Sequence, residues 1–376
     1  MRLPEFRLES YFGKWEFKAR YHLTASDAQT LSLAELLAMA DGEDRERWER
    51  MELGYIQSEG TPQLRRAIAD TYDAIDPDDV LAFAGAEEGL YCAMHALLTP
   101  QDHAIVLVPN YQSVESVPRT ICEVTGIALH ADREWELDVD ELQAALRPNT
   151  RMVALNFPNN PTGKIIGVRT FEQIVELCRL HGIYLFSDEV YRGIERDERK
   201  RLPQAADVYE RALSLNVVSK AYGLPGLRVG WIACRDADVL ARMLKLKHYL
   251  SICNSAPSET LATIAVKAAG RIMRRNRDLC AQNLARLDSF FARHAEQFEW
   301  YTPDGGCIAY PRYLGAEGVE HFCERLVEEA GVLLLPASVY RSDLLATPPD
   351  RFRIGYGRLG VDAALAALDD FIAACR

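Results

Sequence analysis

Between Gly54 and Cys253, short β-branched apolar runs alternate with longer amphipathic stretches, and this alternation constrains the fold most. Ala104–Val108, Met152–Phe157, Ile183–Ser187, Ala212–Val218 and Val229–Cys234 read as strands, Glu87–Leu98 and Thr170–His181 as helices between them. A strand followed repeatedly by a helix predicts an α/β fold, with a mostly parallel sheet covered on both faces. Ligands of such sheets collect at the carboxyl ends of the strands. Residues that follow each strand are therefore the candidates for chemistry.

The chain has 376 residues, too many for one simple core and suited to two α/β domains. Residues 1–45 read as an arm plus part of a smaller domain, 46–255 as the large domain, and 291–376 as the small C-terminal domain. Helical spacing of Leu261, Ile264, Ala265, Ala268, Ile272 and Leu279 predicts one long helix over about Ala256–Arg293, linking the two through residues 256–290. Residues 1–30 are aromatic-rich and read as irregular, with a helix at about Leu31–Ala40.

A net charge of −12 disfavours nucleic acid or an anionic membrane as partner, since both need a basic face. The nine cysteines show no C-x-x-C pair and the eight histidines no paired spacing, so no metal site is expected and the thiols read as buried and reduced. No signal-peptide pattern or membrane-spanning run occurs, which makes a cytoplasmic location the expectation.

Four segments carry chemistry. Ser219-Lys220 follows a strand and runs into a Gly- and Pro-rich loop ending in Arg228 and Gly230. An amine that condenses with an aldehyde and an arginine that clamps a phosphate would serve a pyridoxal-phosphate site. Taken alone, the pair reads equally well as a surface lysine and a structural arginine. Asn156–Gly163 follows another strand, and its asparagine amides can donate to a phenolate oxygen; turn-forming is the alternative reading. Asp188 follows a third strand, where a carboxylate could keep a ring nitrogen protonated, and Tyr191 lies three residues on. Gly85-Ala86-Glu87 opens a helix whose free N–H groups suit a phosphate. Glu87, Glu88 and Glu189 read as helix-start and loop carboxylates held ionised by the helix dipole.

On these residues the chain resembles the fold-type I pyridoxal-phosphate enzymes, specifically the class I/II aminotransferases, from about Tyr55 to Gly357. The resemblance implies that Lys220 forms the Schiff base with pyridoxal 5'-phosphate and moves the proton, with Arg228, Ser219 and the Gly85, Ala86 and Glu87 turn around the phosphate. It implies Asp188 on the pyridinium nitrogen, Tyr191 and Asn160 on the phenolic oxygen, and Tyr111 stacked on the ring. It implies Arg353 on the substrate carboxylate, beside Asn160, and Tyr55 reaching the neighbouring subunit's cofactor in a homodimer with shared active sites. Amino acids and 2-oxo acids are the implied substrates.

Three departures stand out. Val217 occupies the place of the family's usual Ser or Thr, which leaves Ser219 as its substitute. Pro336–Arg341 replaces the family's P-G-x-x-F-G segment, so an uncommon specificity is expected. The aromatic arm is most similar to members from specialised amino-acid metabolism, including the capreomycidine-synthase-like branch. The same parts would serve a lyase, decarboxylase or cyclase, because substrate orientation selects the bond that breaks at Cα. A ligand-sensing domain of a transcription regulator would need a basic helix-turn-helix segment, which residues 1–30 do not resemble.

Overall fold

The structure, a computed structural model, describes residues 3–374. Nine strands come before the long helices: β1 (Tyr21–His22), β2 (Val80–Phe83), β3 (His103–Val108), β4 (Glu123–His130), β5 (Glu136–Leu137), β6 (Thr150–Asn156), β7 (Tyr184–Asp188), β8 (Ala212–Val217) and β9 (Gly230–Ala233). Strands β2 to β9 form one sheet in the order β2-β9-β8-β7-β6-β3-β4-β5. Strands β8, β7, β6, β3 and β4 run parallel, β9 opposes both of its neighbours, and β5 opposes β4.

Burial explains the arrangement. Every residue of β3 is buried, as a central parallel strand requires when helices cover both faces. Ile105, Val153 and Leu185 pack with Ile174 and Val175 of helix Val168–His181. Val106, Ala154 and Phe186 pack instead with Leu90, Val114 and Val239, from helices Ala86–Leu97, Gln112–Arg119 and Ala237–Lys247. The helix before β7 stops at Gly182, which takes the left-handed conformation (φ 63°) that ends helices.

All five predicted strands occur, with ends moved by one or two residues. Sequence pattern missed β2, β4 and β5, since four or fewer apolar residues, or a glycine such as Gly126 within the run, leave little alternation to read. The predicted long helix is two helices, Ala256–Lys267 and Ala269–Arg293, because Ala268 leaves helical geometry (φ −89°, ψ 11°). The helix expected at Leu31–Ala40 is shorter, Leu33–Leu37, started by a capping box between Ser32 and Glu35.

The N-terminal segment is more regular than expected. Arg7–Trp15 is a helix with Leu8 buried, and β1 pairs in parallel with Val332–Leu333. Downstream, Ile308–Ala309 and Leu335–Pro336 flank strand Phe352–Gly355 on either side. No helix among the described residues is long and apolar enough to cross a membrane.

Candidate active site

Sheet register brings the motif residues to one edge. Phe83 at the end of β2 and Val217 at the end of β8 both pair with Gly230, the first residue of the opposing β9. The turn after β2, the loop after β8 and Arg228 before β9 therefore converge. Asp188 ends β7 beside Asn156, and Tyr111 follows β3.

Backbone contact is close where the first three meet. Gly85 has φ +99°, a conformation that favours glycine, and a Cβ on it would lie 2.7 Å from Nη2 of Arg228. A Cβ on Gly230 would lie 2.8 Å from the amide nitrogen of Ala86. Helix Ala86–Leu97 begins there with no side-chain cap, so its first amides and the exposed Arg228 guanidinium form an anion seat. Ser219 adds a buried hydroxyl that has no hydrogen-bond partner, and the neighbouring Val217 is packed in the core.

Lys220 Nζ donates to Ser26 Oγ at 2.8 Å. Burial pushes its amine below the usual lysine range; Asp27 and Asp188 pull the other way, and Arg353 adds to the lowering. Burial raises the Asp188 carboxyl to about 7, against the Val190 amide and Lys220, which favour its ionised form. The Tyr191 hydroxyl is 1% exposed and unpartnered, and burial holds it well above the ordinary phenol range.

Arg353 is 1% exposed. It donates to Asn160 Oδ1 at 3.3 Å and to the Thr24 carbonyl at 2.7 Å, its Nε has no partner, and it stands 5.7 Å from the Tyr340 ring centroid. No carboxylate among the described residues pairs with it. A buried guanidinium without an acid is costly unless an anionic ligand completes it. Asn160 is itself held through its backbone N–H by Asn156 Oδ1 at 2.8 Å.

Two sequence expectations change here. Glu87 does not behave as a helix-start carboxylate held ionised by the dipole: desolvation, with the Glu9 charge adding, raises it to about 7 despite the Ser113 hydrogen bond. The residue is nonetheless exposed to solvent. Glu189 does lie in the loop after β7, but it is buried, accepts from Ala205 N and Ser214 Oγ, and burial raises its carboxyl instead of a dipole holding it ionised. Glu88 instead ties Ala84 N and Ser251 N together.

Tyr111 is half-buried with its ring 5.3 Å from Phe6 of the arm. Tyr55 is not brought to this cleft; it is 91% exposed, near the exposed Leu53. Thr24, Ser26, Asp27 and Tyr340 were given no role from sequence. A short polar cluster, Thr24-Ala-Ser-Asp27, was the available signal, and no motif marks it.

An α/β protein with an anion seat, a half-buried amine, a raised carboxyl and an unpaired buried guanidinium at one sheet edge fits a phosphate-bearing aldehyde cofactor and a carboxylate substrate. The profile of the aminotransferase class I and II family matches residues 26–367, so the chain belongs to that family, whose cofactor is pyridoxal phosphate. Capreomycidine synthase of Streptomyces vinaceus is 29% identical, the match covering 98% of this chain and 94% of the relative. A PLP-dependent aminotransferase from Streptococcus suis superposes with a TM-score of 0.91 at 28% identity, over 99% of this chain and 98% of that one. The PLP-dependent cyclase OrfR superposes with a TM-score of 0.90 at 28% identity, over 100% and 99%.

Proposed function

We propose that this chain is a cytoplasmic, homodimeric aminotransferase that moves an amino group from an amino acid to a 2-oxo acid, with Lys220 as the residue that carries the cofactor. The observation that carries this reading is the pairing of two groups at one site: a half-buried amine pushed below the usual lysine range, Lys220, and a buried guanidinium with no acid partner among the described residues, Arg353. Bound pyridoxal phosphate supplies an aldehyde that condenses with amines and a ring that absorbs the electron pair left at Cα.

The chain's own residues divide the remaining work. Ala86 and Glu87 amides, Arg228 and Ser219 hold the phosphate. Asp188 would hold the proton on the ring nitrogen of the bound cofactor, and Asn160 and Tyr191 would serve its phenolic oxygen. Tyr111 would stack on the ring. Arg353 fixes the substrate carboxylate, which orients the Cα–H bond, and Lys220 takes that proton and returns it elsewhere. Tyr55, exposed in its own chain, reaches the partner's cofactor. Residues 46–255 act as the cofactor-binding domain and 291–376, with the arm, as the smaller domain that brings Arg353.

A cyclase or lyase is the second reading. It is favoured by the likeness to capreomycidine synthase and to the cyclase OrfR over nearly the full chain. Adding amino acids singly to the cofactor-loaded protein, without a keto acid, separates the two. Conversion of the cofactor to its amine form with stoichiometric keto acid supports the transaminase. Retention of the aldehyde form with a cyclised product, ammonia or carbon dioxide supports the second reading.

A further inference from the structure

Residues 23–29 form a strap between two parts of the chain that each carry a group of the cleft. On one side, Ala28 N donates to the Lys220 carbonyl at 3.0 Å, and a Cβ on Gly223 would lie 2.6 Å from the Gln29 carbonyl oxygen. On the other, Gly355 N donates to the Leu23 carbonyl at 2.7 Å and Gln29 N to the Gly357 carbonyl at 2.8 Å. Cβ atoms on Gly355 and Gly357 would lie 2.1 Å and 2.5 Å from the Ala25 and Asp27 carbonyl oxygens. Only glycine therefore fits at these three positions against the strap's carbonyls. Arg358 pairs with the buried Asp27 carboxylate and pins its centre.

The strap turns only one short polar side chain onto the Lys220 amine, Ser26, at 2.8 Å. Ser26 also lies beside the Tyr191 hydroxyl, on whose titration it acts, while Thr24 two residues earlier accepts from Arg353 through its carbonyl. One rigid segment thus sets the amine and the guanidinium relative to each other. We propose that Ser26 is a positioning residue, whose hydroxyl holds the freed Lys220 amine in one place and orientation for taking the substrate Cα proton. The inference rests on Lys220 being the reacting amine. A lysine side chain has four rotatable bonds, and losing an anchor on its tip spreads the amine over several rotamers. The proton moves from Cα to the Lys220 nitrogen, and the electron pair stays with the bound substrate; Ser26 exchanges no proton in the step.

The test compares the cofactor-loaded wild type with Ser26→Ala and Ser26→Thr. Exchange of the Cα–H of each of the twenty amino acids in D2O is followed by NMR, and binding of α-methyl amino acids, which have no such hydrogen, by the visible spectrum. Ser26→Ala should slow exchange about tenfold, the rate equivalent of one lost hydrogen bond, and Ser26→Thr should restore most of it. Binding of the α-methyl compounds and the melting temperature should change little, which a merely structural role would not allow. Equal exchange in Ser26→Ala and wild type overturns the inference, as does a fall in α-methyl binding that matches the fall in exchange. Should Ser26→Ala fail to fold, Ser26→Gly replaces it with the same expected tenfold loss. Borohydride fixation keeps the two claims apart. Cofactor fixed at Lys220 with unchanged exchange defeats only the role of Ser26. Absence of fixation, or of exchange of any amino acid by the wild type, defeats the lysine's role and this inference with it.

Discussion

The two walls of the cleft are built in different ways. The sheet wall takes Asp188 from the end of β7, and Gly85, Tyr111, Asn160 and Lys220 from segments that follow β2, β3, β6 and β8 of the same sheet, so strand register largely sets their spacing. The arm wall takes Thr24, Ser26 and Asp27 from near the start of the chain and Arg353 from near its end. Its hydrogen bonds join residues 194, 329 and 331 positions apart. The sheet wall has hydrophobic helices behind both faces. The arm wall depends on a few polar contacts and close backbone approach. A site divided in this way can keep its cofactor seat constant while its substrate side changes, because the two are secured by separate contacts.

Breaking the sheet wall at its centre should have the largest effect. Lys220→Ala is expected to lower turnover by about 10³-fold or more and to abolish borohydride fixation, because the amine that carries the cofactor is removed. Loss of less than tenfold would mean that the lysine is structural. On the arm wall, Arg353→Ala should raise the KM for the amino substrate by about 100-fold, the worth of a bidentate charge-assisted contact. It should not lower the melting temperature of the cofactor-free protein much, since a buried unpaired charge is removed. A large drop in melting temperature with unchanged KM would make Arg353 a structural residue.

Smaller effects sharpen the contrast. Ser219→Ala should weaken cofactor retention by about tenfold, measured by dialysis and absorbance, with the KM for the amino acid unchanged. Unchanged retention would mean that the hydroxyl does not replace the one missing at Val217. The smallest effect is in pH dependence. In the cofactor-free protein the Asp188 carboxyl sits at about 7 rather than at its ordinary 3.8, so the folded state binds the proton more tightly than the unfolded state. Its contribution to stability is therefore fully present below about pH 4 and is lost as pH rises through about 7. Asp188→Asn should flatten that part of the slope of melting temperature between pH 5 and 8. Parallel slopes for the two proteins would show that the carboxyl is ionised throughout.

Legibility followed the same division. Ser219–Gly230, Asn156–Gly163 and Asp188–Tyr191 could be read because glycine, proline and asparagine directly after an apolar run mark a strand end. Their roles were inferred from resemblance; their convergence is what the fold adds. The behaviour of Glu87 was not readable. Position at a helix start predicts an ionised carboxylate, while the like charge of Glu9 comes from an arm helix that is brought near it only in the folded chain. The break at Ala268 was also missed, as helical periodicity runs through it without a proline or glycine at that point.

By itself, then, the sequence determined the α/β class, the strand ends that face the cleft and the residue types gathered there, because hydrophobic period and turn chemistry are local properties. Tertiary structure decided which of those groups are charged, which lack partners and what lies opposite them. Burial, close approach and pairing at separations of hundreds of residues come into being only when the chain ends meet, and no local pattern encodes them.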